Sequence, residues 1–345
     1  MTYFKKLLAF SIIFFTCNVA SFADGFNENA NFGFRYGPNL SWSLYGNTPF
    51  VWGEWLPQAA GMLHYSWLEP LEELSYGERL ENLPTYLRMD AAIEVSPFYA
   101  GYLAGIGIRP FKTNPQIEAN VAYESYLYMR SNLEMVTAEV EGEGRIAESW
   151  NADYIVDNIY KDDAAFDYTQ LIDMAFSLSY SLPKGSILGV KFHYILLDVS
   201  TDFDGKSYDY RRNIPVFSRD FLLVLDTYGR IPLTNHFAAI FESYFYKTGF
   251  LRDRNTVRKE SLGYGKAMVG AHFFWNEGLQ NIIFEVGGWK RTEKRFYDGS
   301  LAQQFLVQLE YQGYFSFPFH RNFSKLIWQW RFRLALDVIL ERVCL

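Results

Sequence analysis

Large apolar side chains occupy almost every second position between Trp328 and Leu340, near the end of the chain. The positions between them are mostly Gln, Arg, Ala and Asp. A period of two predicts a β-strand with one apolar face and one polar face. The run is also long enough to cross a bilayer as a tilted strand, which takes about 9–11 residues.

The same alternation recurs along most of residues 86–340. In one segment, Leu87 and Met89 alternate with Arg88 and Asp90. The pattern predicts about twelve strands, an even number within the range of bacterial transmembrane barrels. Several of these segments are longer than the about 5–6 residues that are usual for strands of soluble proteins.

The predicted connections alternate between short and long from Pro110 onward. Short turns rich in Gly, Pro and Asn are predicted at 110–115, 183–185, 229–235, 276–278 and 318–322. Long polar connections are predicted at 130–164, 198–215, 249–261 and 290–300. Short turns at one end and long loops at the other are typical of transmembrane β-barrels.

The first 23 residues have the features of a secretory signal peptide. Lys5 and Lys6 precede an apolar run that is shorter than the about 20 residues a spanning helix needs, and cleavage is predicted before Asp24. Residues 24–84 are predicted to hold early strands and a short amphipathic helix that acts as a loop helix, a lid or a small plug. Residues 85–345 are predicted to form the main part of the barrel.

The leader and the strand pattern of residues 86–340 resemble those of bacterial outer-membrane β-barrel proteins. The resemblance implies an all-β, antiparallel transmembrane β-barrel located in the bacterial outer membrane. It also implies outer-membrane lipid, lipopolysaccharide and the barrel assembly machinery as partners. The 31 Phe, 25 Tyr and 9 Trp residues suit the aromatic belts at the two membrane interfaces.

Charge and cysteine content narrow the choice of function. The net charge of −7 argues against nucleic acid as a partner, because nucleic-acid binding relies on basic surfaces. Cys344 is the only cysteine outside the leader, which excludes a disulfide within the mature chain. We expect no cofactor and no metal site.

The end of the chain conflicts with this topology. If the short turns are periplasmic, the strand at 328–340 ends on the outer face, whereas bacterial barrels end on the inner face. Two explanations stay open: a strand boundary is misplaced, or the closing strand is missing. Leu345 also stands where such proteins commonly carry Phe or Trp. A missing strand predicts an unclosed barrel, with backbone groups exposed to lipid at a cost of several kcal/mol each.

The polar faces of the predicted strands supply the candidate functional residues. The predicted pore-lining residues are Lys191, His193, Lys266, His272, Gln308, Glu310, Arg331, Arg333 and Asp337. Both signs of charge are present, so the sequence predicts no ion preference. A water-filled pore and a hydrogen-bonded polar core both agree with about twelve strands, which lies between side-chain-filled eight-stranded barrels and 16–18-stranded porins.

Three functional hypotheses follow. The first is a channel for passive passage or transport of small solutes. The second is a non-conducting barrel that acts through its charged loops in adhesion or envelope structure. The third is an outer-membrane lipid-modifying enzyme, which rests only on His193 and His272, since no Gly-x-Ser-x-Gly motif accompanies them. The sequence itself assigns no catalytic residue.

Overall fold

A computed structural model describes most of the predicted barrel. It covers residues 36–51, 54–55, 58–71, 85–97, 99–129, 166–199, 206–209, 214–217, 219–248, 262–276, 279–291 and 303–314. The signal peptide, the helix expected within 72–83, most of the long connections and the strand expected at 328–340 lie outside these residues. Those predictions therefore stay predictions.

The described residues form fifteen β-strands. The strands are β1 (Gly37–Val51), β2 (Glu54–Trp55), β3 (Gln58–Pro70), β4 (Tyr86–Val95), β5 (Tyr99–Arg109), β6 (Gln116–Met129), β7 (Phe166–Leu182), β8 (Ser186–Val199), β9 (Lys206–Asp209), β10 (Ile214–Phe217), β11 (Arg219–Thr234), β12 (Phe237–Thr248), β13 (Leu262–Trp275), β14 (Gln280–Arg291) and β15 (Gln303–Tyr314). A single 3₁₀ turn at Pro183–Gly185 joins β7 to β8. In the described part of the chain, no helix is long and apolar enough to cross a membrane.

Twelve of these strands close into one antiparallel barrel. Each long strand pairs with its neighbours in chain order, from β1 and β3 through β8 and β11 to β15. The barrel closes where β15 pairs with β1, from Ser41 opposite Tyr314 to Phe50 opposite Phe305. The short β2 pairs antiparallel with the last two residues of β1, and β9 and β10 form a separate hairpin. The predicted antiparallel barrel of about twelve strands is confirmed.

The expectation of an unclosed barrel is wrong. Residues 37–70 supply two barrel strands, β1 and β3, and β15 takes the closing position. β15 also ends at the same end of the barrel as the short turns at 183–185 and 235–236. The described barrel therefore both starts and finishes at its short-turn end.

Two connections differ from their predictions. The turn expected at 229–235 is strand up to Thr234, and only Asn235 and His236 form the turn. Gly229 lies inside β11, where an added Cβ would come within 2.2 Å of the Phe241 ring on β12. This glycine therefore permits close packing between two strands and does not mark a turn. The connection expected at 198–215 contains the β9–β10 hairpin.

The alternation of side chains is inside-out relative to a soluble protein. In β4, buried and exposed residues alternate without exception from Tyr86 to Val95. Arg88 and Glu94 are each 1% exposed and point into the barrel, whereas Ile93 is 60% exposed on the outer face. Each of the twelve barrel strands carries at least one large apolar side chain on this outer face. On β4 the inward and outward residues are those that the alternation in the sequence predicts.

The strand registers fix the dimensions of the barrel. The shear number of the barrel is about 16. A path that starts on β1 and steps from each residue to its register partner on the next strand returns to β1 about 16 residues from its start. For twelve strands this corresponds to a strand tilt of about 45° and a backbone radius of about 12 Å. With that tilt, the exposed apolar side chains span about 25 Å along the axis, which is the height of the apolar band of outer-membrane barrels.

Candidate functional site

The barrel interior holds six of the nine predicted pore-lining residues. Lys191, His193, Lys266, His272, Gln308 and Glu310 all lie on inward faces and are between 0% and 8% exposed. Arg331, Arg333 and Asp337 lie outside the described residues. Whether the six residues line a conducting pore stays a prediction, because burial alone does not show a path for solutes.

An ion-pair network occupies the short-turn end of the lumen on β4, β5 and β6. Arg88 Nη2 lies 2.9 Å from Glu118 Oε1, and Arg109 Nη2 lies 2.8 Å from Glu118 Oε2. The Tyr86 hydroxyl donates to the same Glu118 oxygen at 2.9 Å. Arg88 Nε also lies 3.1 Å from Asp90 Oδ2. Glu118 thus compensates two buried guanidinium groups at once.

A second polar group lies at the same depth on the opposite wall. Arg230 Nε donates to His272 Nδ1 at 3.2 Å, and His272 Nε2 lies 2.9 Å from Asn281 Oδ1. The Arg230 guanidinium also lies over the Phe274 ring, 5.0 Å from its centroid. His272 therefore has hydrogen-bond partners on β11 and β14, which suits a structural polar network.

One cluster of charged residues at mid-depth lies on β12 to β15. Lys266 Nζ donates to Gln308 Oε1 at 3.1 Å and lies 3.5 Å from Glu242 Oε1. Gln308 Nε2 donates to Glu285 Oε2 at 3.1 Å. Glu285 is within electrostatic range of both Glu242 and Glu310. One lysine therefore faces three carboxyl groups in this part of the wall.

The other half of the wall carries carboxyl groups at a similar depth. His193 Nδ1 lies 2.9 Å from Asp173 Oδ2. Tyr99 donates its hydroxyl to Glu94 at 2.5 Å, and Tyr45 donates to the same oxygen. Farther along the wall, Tyr126 OH donates to Glu124 at 2.9 Å, and Asp226 is the register partner of Lys191.

The charged residues at mid-depth on the two halves of the wall together form a layer around the whole lumen. With the tilt given above, it is about 10 Å deep and lies near the middle of the apolar outer band. We call it the carboxyl layer. Its carboxyl groups outnumber its two lysines, Lys191 and Lys266. The carboxyl groups belong to Glu94, Glu124, Asp173, Asp226, Glu242, Glu285 and Glu310.

A serine, a histidine and an aspartate lie in series on β1, β3 and β4. Ser41 Oγ is 3.5 Å from His64 Nδ1, and His64 Nε2 is 2.8 Å from Asp90 Oδ1. All three face the lumen and are 2%, 6% and 5% exposed. Within the described residues, no group of His, Cys, Asp and Glu could hold a metal ion.

The sequence analysis missed several inward residues. Tyr45, Tyr86 and Tyr99 were not among the predicted lumen residues, yet each is at most 2% exposed and faces inward. Ser41 and His64 lie on β1 and β3, within residues 24–84, for which the sequence predicts early strands without exact bounds. Their alternation is visible in hindsight: Ser41, Ser43 and Tyr45 share one face, as do His64, Ser66 and Leu68.

Comparison with known proteins gives only structural similarities. No protein-family model matches the chain, and no curated protein matches it. An outer membrane channel from Pseudomonas putida F1 is similar over 82% of this chain and 97% of that chain, with 10% identity and a TM-score of 0.45. The translocator domain of the autotransporter NalP from Neisseria meningitidis is similar over 86% of this chain and 93% of that chain, with 12% identity and a TM-score of 0.40. OmpT of Vibrio cholerae is similar over 81% of this chain and 96% of that chain, with 6% identity and a TM-score of 0.37.

The strand topology carries the assignment of the fold. The chain has the fold of an outer-membrane β-barrel. Its closure, its strand tilt, its apolar outer band and its polar interior together distinguish this fold from soluble barrels, whose apolar faces point inward.

Proposed function

We propose that the protein is a channel of the bacterial outer membrane for small solutes. The carboxyl layer is the observation that carries this proposal. Charged side chains around the interior of a membrane barrel are costly unless they are paired or meet water, and they mark solute and ion pathways. Twelve strands also enclose more space than the eight that side chains just fill.

The balance of charge in the carboxyl layer supports a preference for cations. Seven carboxyl groups surround the lumen at mid-depth, against Lys191 and Lys266. Rings of Asp and Glu favour cations in channels, because they lower the energy of a cation where the pore is narrowest. Depth along the barrel axis, which the sequence alone did not give, separates this layer from the arginines near the short turns.

The apolar outer band supports a further part of the proposal, namely that the barrel wall contacts outer-membrane lipid. Side chains such as Ile93, Ile106 and Val269, each about 60% exposed, would contact outer-membrane lipid. Lipopolysaccharide would meet the long-loop end, and the barrel assembly machinery would insert the chain, as it does for proteins with this fold. No residue is assigned to either of these two contacts.

Current through the folded barrel in a planar bilayer tests the proposal. We expect discrete conductance steps, and in a KCl gradient we expect a reversal potential of the sign given by K⁺ passing faster than Cl⁻. Glu310→Gln and Glu242→Gln should each reduce this potential. Ile106→Ala, which changes a lipid-facing side chain, should leave the potential unchanged and serves as the control.

The two parts of the proposal can fail separately. A barrel that shows heat-modifiable gel mobility, and is therefore folded, but carries no current would refute the channel function. A barrel that conducts with no cation preference would refute only the role of the carboxyl layer.

A further inference from the structure

Ser41, His64 and Asp90 have the order of groups that activates a serine for acyl transfer. We propose that they form a catalytic triad that hydrolyses small carboxylic esters inside the lumen. Ser41 Oγ lies 3.5 Å from one His64 nitrogen, and Asp90 Oδ1 lies 2.8 Å from the other. Triads are recognised by this geometry and by the roles of the groups, whatever the fold or the order along the chain.

The hydrogen bonds assign a role to each group. Asp90 accepts a hydrogen bond from His64 Nε2–H, so that Nδ1 is left unprotonated and faces the Ser41 hydroxyl. His64 is thereby oriented as the general base. Arg88 Nε lies 3.1 Å from the second Asp90 oxygen, Oδ2, and acts as a positioning residue for the aspartate. A serine–histidine distance of 3.5 Å is long, but this contact often shortens only when substrate binds.

Two buried hydroxyl groups next to the triad supply an independent observation. Ser43 and Ser66 are 1% and 0% exposed, and neither hydroxyl has a hydrogen-bond partner among the described residues. Ser43 is the next inward residue after Ser41 on β1, and Ser66 is the next after His64 on β3. A buried hydroxyl without a partner costs free energy and calls for an explanation. The oxygen of a bound acyl group would provide the missing acceptor.

The direction of the triad restricts its substrate. All three side chains face the lumen, whereas the lipid-facing side of the same strands carries residues such as Leu44 and Leu63. A phospholipid in the bilayer therefore does not reach Ser41. An ester that enters through the barrel would approach the face of the wall that carries Ser41. The expected class is a short-chain carboxylic ester, which separates this activity from that of a lipid-modifying enzyme.

The reaction balances with water as the only co-reactant. Ser41 Oγ attacks the ester carbonyl carbon while its proton passes to His64 Nδ1. The bond to the alcohol oxygen then breaks, and His64 returns the proton to the departing alcohol. Water attacks the acyl-serine with His64 again as the base, which releases the carboxylic acid and restores Ser41.

Labelling of the folded full-length chain with a small fluorophosphonate tests the proposal, since this probe reacts with activated serines. We expect mass spectrometry to place the adduct on Ser41. His64→Gln should slow labelling by about 100-fold, because a general base contributes at least that much to the reaction. Ser177→Ala, which removes an inward hydroxyl far from the triad, is the matched control and should label at the wild-type rate.

A second measurement covers variants that fail to fold. Hydrolysis of p-nitrophenyl acetate by the wild-type barrel should stop once Ser41 is modified, which requires no substitution. Absence of any adduct on the folded wild-type chain, an adduct on another serine, or unchanged labelling in folded His64→Gln would each overturn the triad. Conductance is not part of either measurement, so this inference and the channel function can be judged independently.

Discussion

A substitution at Glu118 tests whether water is excluded from the lumen around this side chain. Its carboxylate binds Arg88 at 2.9 Å and Arg109 at 2.8 Å, and it accepts the Tyr86 hydroxyl at 2.9 Å. Glu118→Gln keeps the size of the side chain but removes the negative charge between two guanidinium groups. Removing one partner of a buried ion pair costs about 3–5 kcal/mol, because the remaining charge is left uncompensated. We expect a loss of that size in the free energy of unfolding.

Urea unfolding in lipid vesicles, followed by tryptophan fluorescence, measures this loss. Asp198→Asn is the matched control, since its partner Arg219 lies 3.4 Å away and both side chains are well exposed, at 45% and 70%. A solvent-exposed pair contributes about 0–1 kcal/mol, so this variant should be nearly neutral. In the double variant Glu118→Gln/Arg109→Gln, the total loss should be smaller than the sum of the two single losses, because the second substitution removes an uncompensated charge.

The opposite outcome would have a clear meaning. If Glu118→Gln costs no more than Asp198→Asn, water screens the two arginines and the lumen is hydrated at this depth. That result would refute the description of the Glu118 network as a dry ion-pair cluster. It would also strengthen the case for an open path through the short-turn end of the barrel.

Three further predictions concern the wall of the barrel. Ile93→Lys places a charge on the lipid face near mid-depth and should lower the free energy of unfolding in vesicles by about 2–4 kcal/mol, whereas a neutral result would mean that this face does not meet lipid. Leu44→Cys combined with Tyr311→Cys, register partners on β1 and β15, should form a disulfide seen as a gel shift on reduction; no cross-link would argue against the observed closure. Gly229→Val should destabilise the barrel through its clash with Phe241, and Phe241→Ala should restore part of the loss, since the ring lies where the new Cβ would be.

The sequence was sufficient for the fold because two signals agreed. In β4 the alternation of Leu87, Arg88, Met89 and Asp90 assigns each side chain to a face, and a one-residue slip would place every charge in lipid. The turns and loops then order the strands, since neighbours joined by short turns pair antiparallel. Both signals depend on local sequence, so they can be read without knowledge of the structure.

Closure depends on information that no local pattern contains. β1 includes Gly37, Pro38, Gly46 and Pro49, which interrupt the alternation of apolar and polar residues. This barrel strand is therefore hard to recognise from the sequence pattern. The strand predicted at 328–340 has a much clearer pattern but ends on the outer face, so the sequence left open whether a boundary was misplaced or the closing strand was missing. Only the pairing of β1 with β15 identifies the strand that closes the barrel.

The candidate site was predicted only as a set of inward residues. Lys266 and Gln308 were correctly assigned to the inner face, but their contacts with Glu242 and Glu285 arise from register and strand tilt. Those quantities involve several strands at once. The inward orientation of tyrosines such as Tyr99 could not be predicted for another reason. An aromatic ring with a hydroxyl suits both a lipid interface and a polar interior, so the residue type alone does not indicate which face of the strand it occupies.

The inward tyrosines also bear on how solutes would pass. Tyr45 and Tyr99 donate to Glu94 from β1 and β5, which lie on opposite sides of β4 in the wall, and both are almost inaccessible to water. Their rings therefore occupy space that a backbone radius of about 12 Å would otherwise leave to solvent. In the proposed channel, Tyr99→Phe, which removes one hydrogen bond to Glu94 but keeps the ring, should raise the fraction of time that the channel conducts. Unchanged single-channel open times in folded Tyr99→Phe would show that this hydrogen bond does not control the path.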